Sequence, residues 1–164
     1  MHSLLPIHDV IYRLGFAILA GASLGLNRWI HHKSAGVRTH GLVALGSAIS
    51  MIIVELGGDA NGSSRALQGI LTGVGFLGAG IIIHHETSST VRGLTTAASI
   101  WICALIGASF GAGEMILGGI SLFCVLLILT LGSSIEKFAS KYFGDESLSK
   151  IEDSKETMHQ NKNT

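Results

Sequence analysis

Long apolar runs separated by short polar segments dominate the chain. Five such runs, each near the roughly 20 residues that cross a bilayer core, cover residues 10–26, 39–56, 66–83, 94–110 and 115–132. None of them alternates apolar and polar residues as a half-buried strand would. Because backbone groups in lipid have to be hydrogen-bonded within their own segment, the pattern predicts an all-α membrane bundle of about five transmembrane helices.

After the fifth run the composition changes from apolar to polar. Apolar side chains recur at helical spacing as far as Phe143, which predicts a short amphipathic extension. Residues 144–164 are polar, mixed in charge and free of aromatic side chains, a composition typical of disorder. We therefore expect a transmembrane domain at residues 1–143 and a disordered polar tail at residues 144–164.

The basic residues are concentrated on one side of this predicted topology. Of the 11 Lys and Arg residues, all except Arg13 and Arg65 fall in the linkers after the first and third helices or in the tail. The positive-inside rule then places the N-terminus outside and the C-terminus in the cytoplasm of a bacterial inner membrane. The 11 acidic residues balance the basic ones, so nothing in the charge favours nucleic-acid binding.

Glycine is abundant, with 22 residues, and in a bilayer small residues let helix backbones approach closely. Gly21 and Gly25 in the first run have the small-x-x-x-small spacing, and Gly107 and Gly111 repeat it near the end of the fourth. Both pairs predict close helix contacts, either within one chain or between copies of it.

The third run is especially rich in glycine. Part of it matches the dinucleotide-binding pattern G-x-G-x-x-G, but that pattern requires a strand before it and an acidic residue about 20 positions later, and both are missing. Read as a helix, the run has a surface of very small side chains. These glycines are Gly69, Gly73, Gly75, Gly78 and Gly80. We predict that the third helix is the most tightly packed of the five and lies near the centre of the bundle.

Polar side chains within or beside the apolar runs are the candidates for function, since burial in lipid is costly unless they find partners. The candidates are Arg13, Arg38, Thr39, His40, Gln68, Arg92 and Thr95. Asp9 and Arg13 are spaced i and i+4, which predicts an ion pair near the outer interface. Arg38 and Arg92, at one membrane level, either bind head groups, an anion or a partner, or only mark the topology.

Hydroxyl side chains in the third and fourth runs are candidates for hydrogen bonds between helices. Thr72, beside Gln68, is expected to bond to a neighbouring helix. Thr95, Thr96 and Ser99 are expected either to do the same or to bond back to carbonyls of their own helix.

The carboxylates bear most directly on ion transport. Asp9, Glu55, Asp59 and Glu114 map to the outer ends of helices, and none lies in the middle of an apolar run. Mg²⁺ prefers oxygen ligands and usually binds carboxylates. A pathway through the membrane would therefore depend on backbone carbonyls or waters. The four outer carboxylates form either a cation-sensing surface or solvated helix ends.

The remaining reactive side chains do not predict a metal site or an enzyme. The pairs His31-His32 and His84-His85 match no known metal-ligand spacing. No nucleophile, base and acid occur at recognisable spacing, and no cofactor is expected. Cys103 and Cys124 both fall inside apolar runs, which predicts buried free thiols.

Three segments resemble the signature of the MgtC/SapB family of bacterial membrane proteins, in the family's order and spacing. They are residues 35–46 (AGVRTHGLVALG), 73–80 (GVGFLGAG) and 91–101 (VRGLTTAASIW). The start of the first helix, at Arg13 and Leu14, also fits. One departure is Asn27, where the family commonly has Glu in Gly-Leu-Glu-Arg. The tail is also too short for the soluble C-terminal domain of longer members.

The resemblance implies a role in adaptation to low magnesium or acid stress and in virulence. It also implies that the best-studied members act by binding the F-type ATP synthase. We therefore expect a non-enzymatic regulator whose partners are membrane lipids and another integral membrane protein. The alternative is a transporter of Mg²⁺ or another small solute, as a homo-oligomer with the pore between copies and Arg38, Gln68, Thr72, Arg92 and Thr95 along the path.

Overall fold

The computed structural model describes residues 5–59, 61–83, 93–132 and 135. These residues form five helices, which are α1 (Ile7–Ile30), α2 (Val37–Gly57), α3 (Gly62–Ile83), α4 (Leu94–Gly111) and α5 (Met115–Gly132). The chain divides into two compact units, Met1–Leu126 and Leu127–Thr164. In the second unit, the structure describes residues 127–132 and 135, and all of them are helical. The predicted tail at 144–164 lies outside the described residues.

All five helices are long and apolar enough to span a membrane. They confirm the predicted all-α fold, and the fifth has the predicted bounds. The first three begin two to four residues before their predicted starts, because polar residues continue a helix beyond its apolar run. The part of the chain that the structure describes contains no strand.

Proline and glycine mark several helix ends. Pro6 precedes α1, and its carbonyl accepts hydrogen bonds from the amides of Asp9 and Val10. Gly58, which ends α2, and Gly93, which precedes α4, have φ of +67° and +94°. Residues with a Cβ rarely adopt this left-handed conformation, so glycine fixes both turns.

Helix α2 lies at the centre of the first unit, with α1 and α4 packed against it at backbone distance. A Cβ on Gly21 would lie 2.6 Å from the carbonyl oxygen of His40, and one on Gly25 would lie 2.5 Å from the Cα of Val37. Real Cβ atoms do not approach backbone so closely, so only glycine permits this contact. The first small-residue pair is therefore a contact within the chain.

The second pair packs on α2 in the same way, but from α4. A Cβ on Gly107 would lie 2.3 Å from the carbonyl oxygen of Ala44, and one on Gly111 would lie 2.4 Å from that of Ala48. Ala44 and Ala48 are completely buried. Both glycine pairs thus pack against the backbone of α2, and on the α4 side the alanines of α2 also let the backbones meet.

The prediction that α3 is the central, most tightly packed helix is wrong. In the most apolar 18-residue stretch of α3, only 6% of the residues are buried, whereas 56% are buried in the corresponding stretch of α4. Four of its glycines, Gly69, Gly73, Gly75 and Gly80, would accept a Cβ with no atom within 4 Å. A small-residue surface shows that close approach is sterically allowed, but its position in the bundle depends on which other helices carry matching surfaces.

Helix α3 packs on the bundle by one side only. Val74 forms a buried cluster with Ile100 and Ala104 of α4. Gly78 lies near Ala97, to which a Cβ would come within 3.4 Å. The opposite side of α3 is uncovered in the single chain.

Both cysteines are free, as predicted, but only one of them is buried. Cys103 on α4 is completely buried, and its thiol donates to the carbonyl oxygen of His40 at 3.3 Å. Cys124 on α5 is exposed, which corrects the predicted burial of both.

Candidate functional site

A buried arginine joins three helices at the end of the bundle where α1 begins. Arg13 is 8% exposed, and its Nη2 lies 2.8 Å from a carboxylate oxygen of Asp9, which confirms the predicted ion pair. Its Nη1 lies 2.5 Å from Glu55 Oε2 and donates at 3.0 Å to the carbonyl oxygen of Gly111. We call Asp9, Arg13 and Glu55 the Arg13 cluster.

The turn after α4 is shaped to admit the Arg13 side chain. Gly113 has φ of +83°, and a Cβ there would lie 3.1 Å from the guanidinium carbon. The guanidinium thus binds α1, α2 and the end of α4 at once, while its Nε has no hydrogen-bond acceptor. One guanidinium binds both carboxylates and a backbone carbonyl from three parts of the chain, which favours a structural role.

A second ion pair holds the turn between α2 and α3. Asp59 and Arg65 are paired, and the backbone amide of Asn61 donates to Asp59 at 3.0 Å. These contacts lower the pKa of Asp59, the amide hydrogen bond more than the arginine. A pocket of about 300 Å³ beside this turn is lined by Glu55 and Asp59, among others. Both carboxylates are already paired with arginines.

The other end of the bundle contains a second buried arginine, about 22 Å along α1 from the first at 1.5 Å per residue. Arg28 is 5% exposed, and its Nη2 donates to Thr96 Oγ1 on α4 at 2.8 Å. Its Nε is buried and has no hydrogen-bond acceptor. Unlike Arg13, Arg28 forms no ion pair with a carboxylate of the described residues.

Three further buried polar side chains lie beside Arg28. His40 on α2 is completely buried, with Nδ1 3.1 Å from the carbonyl oxygen of Gly36 and Nε2 3.2 Å from Ser99 Oγ. Ser99 donates to the carbonyl oxygen of Thr96 at 2.7 Å. We call Arg28, His40, Thr96 and Ser99 the Arg28 cluster. It links α1, α2 and α4, and its side chains are donors or neutral acceptors.

Comparison with known proteins identifies the family. The family model described as "MgtC family" matches residues 14–138, which is more than half of the chain. The chain belongs to the MgtC family. The match confirms the resemblance inferred from the three sequence segments. It includes the whole Arg28 cluster and Glu55 of the Arg13 cluster, whereas Asp9 and Arg13 precede it.

Curated relatives of this MgtC-family chain share about two fifths of their aligned residues with it. Protein SrpB of Synechococcus elongatus is 42% identical over 140 residues, 78% of this chain and 77% of the relative. The "Putative magnesium transporter YhiD" of Escherichia coli is 40% identical over 129 residues, 74% of this chain and 59% of the relative. Protein MgtC of Brucella abortus is 39% identical over 108 residues, 66% of this chain and 44% of the relative.

The alignments do not extend over the whole of the longer relatives. The chain spans only about half the length of YhiD and of the Brucella MgtC protein. None of the three relatives bears the name of an enzyme. No solved structure matches this MgtC-family chain.

The structure separates the predicted site residues of this MgtC-family protein into groups. Arg13 belongs to the Arg13 cluster and His40 to the Arg28 cluster. Arg38 and Thr39 are exposed in an open groove of about 650 Å³ beside Trp29, where α2 begins. Gln68 and Thr95 are exposed. The prediction that Thr72 bonds to a neighbouring helix is wrong, because its hydroxyl donates to the Gln68 carbonyl of its own helix. Arg92 and the His84-His85 pair lie outside the described residues.

The uncovered side of α3 carries several of the predicted residues. We call this surface the outer face of α3, and its members, all exposed, are Gln68, Gly69, Thr72, Gly73, Phe76 and Gly80. Positions spaced by three or four residues share a face of a helix, so this surface is continuous. It consists of small and polar side chains around one aromatic, Phe76, which is 81% exposed.

Sequence reasoning missed Arg28 and the interhelical partner of Arg13. Arg28 follows the first apolar run, where the charge pattern predicts a linker, yet Gly21, Gly25 and Arg28 are spaced i, i+4 and i+7 and share a face. That spacing was a usable signal. The pairing of Arg13 with Glu55 spans 42 residues and had no signal in a single sequence.

Proposed function

We propose that this MgtC-family protein is a non-enzymatic regulator of the bacterial inner membrane. It acts by binding another integral membrane protein through the outer face of α3. The observation that supports this proposal is the contrast between that face and the exposed face of α5. The two helices are equally uncovered in the single chain, since 6% of the residues in the most apolar 18-residue stretch of each are buried. Their exposed residues differ in size and polarity.

The exposed residues of α5 are those expected to face lipid. They are mostly large and apolar, and include Ile116, Ile120 and Phe123, which are 79%, 59% and 64% exposed. The outer face of α3 has glycines in place of such side chains, and it adds the Gln68 amide. A polar amide facing hydrocarbon is costly unless it has a partner, and glycines allow a second helix backbone to approach. The outer face of α3 therefore suits a protein helix.

We take the F-type ATP synthase as the first candidate partner, because the resemblance to the MgtC/SapB family implies it. On this proposal the protein restrains its partner during adaptation to low magnesium or acid stress, and in virulence. Contact through α3 requires nothing from a soluble C-terminal domain.

Magnesium transport is the alternative, and the name of the YhiD relative favours it. Charge pairing argues against it, because Asp9 and Glu55 are both bound to Arg13, and Asp59 is bound to Arg65. The backbone contacts of the two glycine pairs also close the interface of α1 with α2 and that of α4 with α2. A transport path would then have to run between copies of the chain.

Photo-crosslinking in cells tests the proposal with a matched pair of positions. Phe76 on α3 and Phe123 on α5 are both exposed phenylalanines, and each is replaced in turn by the photoreactive amino acid benzoylphenylalanine. We expect Phe76→benzoylphenylalanine to give a crosslinked band with another membrane protein, which mass spectrometry then identifies. Phe123→benzoylphenylalanine is expected to give adducts with lipid only.

Two other outcomes would contradict the proposal. Lipid adducts alone from position 76 would show that the outer face of α3 faces the bilayer. Adducts only with a second copy of the chain would make this face a homo-oligomer contact and favour the alternative of a pore between copies.

A further inference from the structure

Arg28 is a buried cation without a counter-charge among the described residues. Its side chain has one hydrogen-bond partner, the neutral hydroxyl of Thr96, and its buried Nε has no acceptor. Burying an unpaired charge is strongly unfavourable, and the penalty is greatest near lipid. The guanidinium therefore requires an anion.

The carboxylates that the structure describes cannot supply that anion. Asp9, Glu55, Asp59 and Glu114 lie near the start of α1, the end of α2 and the start of α5, which are at the end of the bundle that contains Arg13. The first two are already bound to Arg13. The other members of the Arg28 cluster are a histidine, a threonine and a serine, none of which carries a negative charge.

The start of α4 adds further donors beside Arg28. Gly93 precedes the helix in a left-handed conformation, no side chain caps the helix, and its first turn has no acidic residue. The first intrahelical bond there runs from the amide of Ala97 to the carbonyl of Gly93, so the amides of residues 94–96 have no partner within the helix. A helix N-terminus with free amides attracts anions.

The two features meet at one residue. Thr96 is the third residue of α4, and its hydroxyl accepts from Arg28 Nη2 at 2.8 Å. The guanidinium of Arg28, a residue that is 5% exposed, therefore lies against the first turn of the helix. Ser99 and His40 complete a set of buried polar side chains behind it.

We propose that Arg28 and the first turn of α4 bind a phosphate-type oxyanion. A planar guanidinium with an unused Nε suits the tetrahedral oxygens of phosphate, and the helix amides supply further donors. The ligand is either the phosphate of an anionic phospholipid head group or inorganic phosphate. This site is separate from the outer face of α3 and does not depend on the proposed partner.

The test uses the full chain, purified in an uncharged detergent. Thermal melting is followed against inorganic phosphate, with chloride at the same ionic strength as the reference. The variants are Arg28→Gln, Arg28→Lys and Thr96→Val, and the control is Arg65→Gln, which removes an exposed arginine at the other end of the bundle. Arg28→Lys keeps the charge but loses the guanidinium fork, so it tests the site even if Arg28→Gln does not fold.

A second arm distinguishes the lipid from free phosphate. Native mass spectrometry counts the phosphatidylglycerol molecules retained per chain by the same variants. For a lipid ligand, we expect the wild type and Arg65→Gln to retain a phospholipid that Arg28→Lys loses. For inorganic phosphate, we expect phosphate to raise the melting temperature of the wild type and Arg65→Gln. Its apparent affinity should then fall about tenfold in Arg28→Lys, as expected for one lost charge-assisted hydrogen bond.

Two results would overturn the proposal. One is an equal response of the wild type and the Arg28 variants to phosphate, together with equal phospholipid retention. The other concerns Glu86, which lies outside the described residues. If Glu86→Gln destabilised the chain as much as Arg28→Gln and phosphate had no effect on the wild type, the counter-ion of Arg28 would be a carboxylate of its own chain.

Discussion

At the scale of single residues, the two buried arginines of α1 have different partners. Arg13 binds two carboxylates and a carbonyl from three parts of the chain, whereas Arg28 is held by a hydroxyl. The first arrangement is a closed electrostatic contact whose loss should affect stability. The second has no carboxylate partner among the described residues and is the place to look for a ligand.

The stability prediction for the Arg13 cluster concerns Glu55. Replacing Glu55 by Gln leaves the buried guanidinium with only Asp9 to balance its charge. We expect the free energy of unfolding to fall by about 1–2 kcal/mol, less than for a fully buried pair because Glu55 is partly exposed. Denaturation in mixed detergent measures the change, and Glu114→Gln, at an exposed carboxylate, is the control. If both substitutions lowered the free energy of unfolding equally, the prediction that the Glu55–Arg13 contact stabilises the fold would be wrong.

The turn between α2 and α3 should respond to pH through Asp59. The Asn61 amide and Arg65 lower the pKa of Asp59 in the folded chain, so the carboxylate stabilises the turn above its ordinary pKa. That stabilisation is lost as the pH falls through the lowered pKa of Asp59. We expect the wild type to melt at a higher temperature than Asp59→Asn at neutral pH and at the same temperature in strong acid. A difference independent of pH would contradict this account.

The spacing of charged residues was enough to predict the ion pair between Arg13 and Asp9, because side chains four residues apart in a helix meet. It could not pair Arg13 with Glu55, since that contact depends on how α1 and α2 are aligned. Alignment in turn depends on the backbone contacts of Gly21 and Gly25. The candidate site was therefore predictable only where its partners are local in sequence.

At the scale of helices, the same type of residue performs two different tasks. Glycines of α1 and α4 touch the backbone of α2, while most glycines of α3 face outward. The sequence pattern of small residues is similar in both cases, which is why the prediction of a central α3 is wrong. The lengths and apolar composition of the helices were predictable, because a bilayer sets both. Which helices pack against one another was not, because that depends on the surfaces of all the helices in the chain.

Substitution of glycine by alanine should separate these two tasks. Gly107→Ala brings a methyl group against the backbone of Ala44 and should cost about 1–3 kcal/mol, as overpacking does. Gly73→Ala meets no atom of the chain and should leave stability unchanged or raise it by up to about 1 kcal/mol. Melting temperatures in detergent compare the two. We also expect Gly73→Ala to weaken the crosslink from position 76, whereas loss of stability in both variants would place α3 inside the bundle.

At the scale of the whole molecule, the proposed regulator and the alternative transporter predict different ion fluxes. We expect liposomes that contain the folded protein to take up Mg²⁺ no faster than empty liposomes, because three of the four described carboxylates are already bound to arginines. A fluorescent Mg²⁺ indicator inside the liposomes measures the flux. Flux that disappears in Arg38→Ala would instead make this protein a transporter.

The orientation of the chain in the membrane is a second prediction at this scale. The distribution of Lys and Arg predicts an outer N-terminus and a cytoplasmic tail. In a chain with Cys103→Ala and Cys124→Ala, we expect Ser3→Cys to react with an impermeant maleimide in intact cells. Ser154→Cys should react only after lysis. The reverse result would place Arg28 and the start of α4 at the outer surface.

The central position of α2 has a consequence for the order in which the chain is made. As α1 and α2 leave the ribosome, Gly21 and Gly25 can already dock on α2, so the first hairpin forms early. The other side of α2, at Ala44 and Ala48, stays uncovered until α4 arrives some sixty residues later. A nascent chain halted after α3 would therefore expose the surface on which Gly107 and Gly111 later pack.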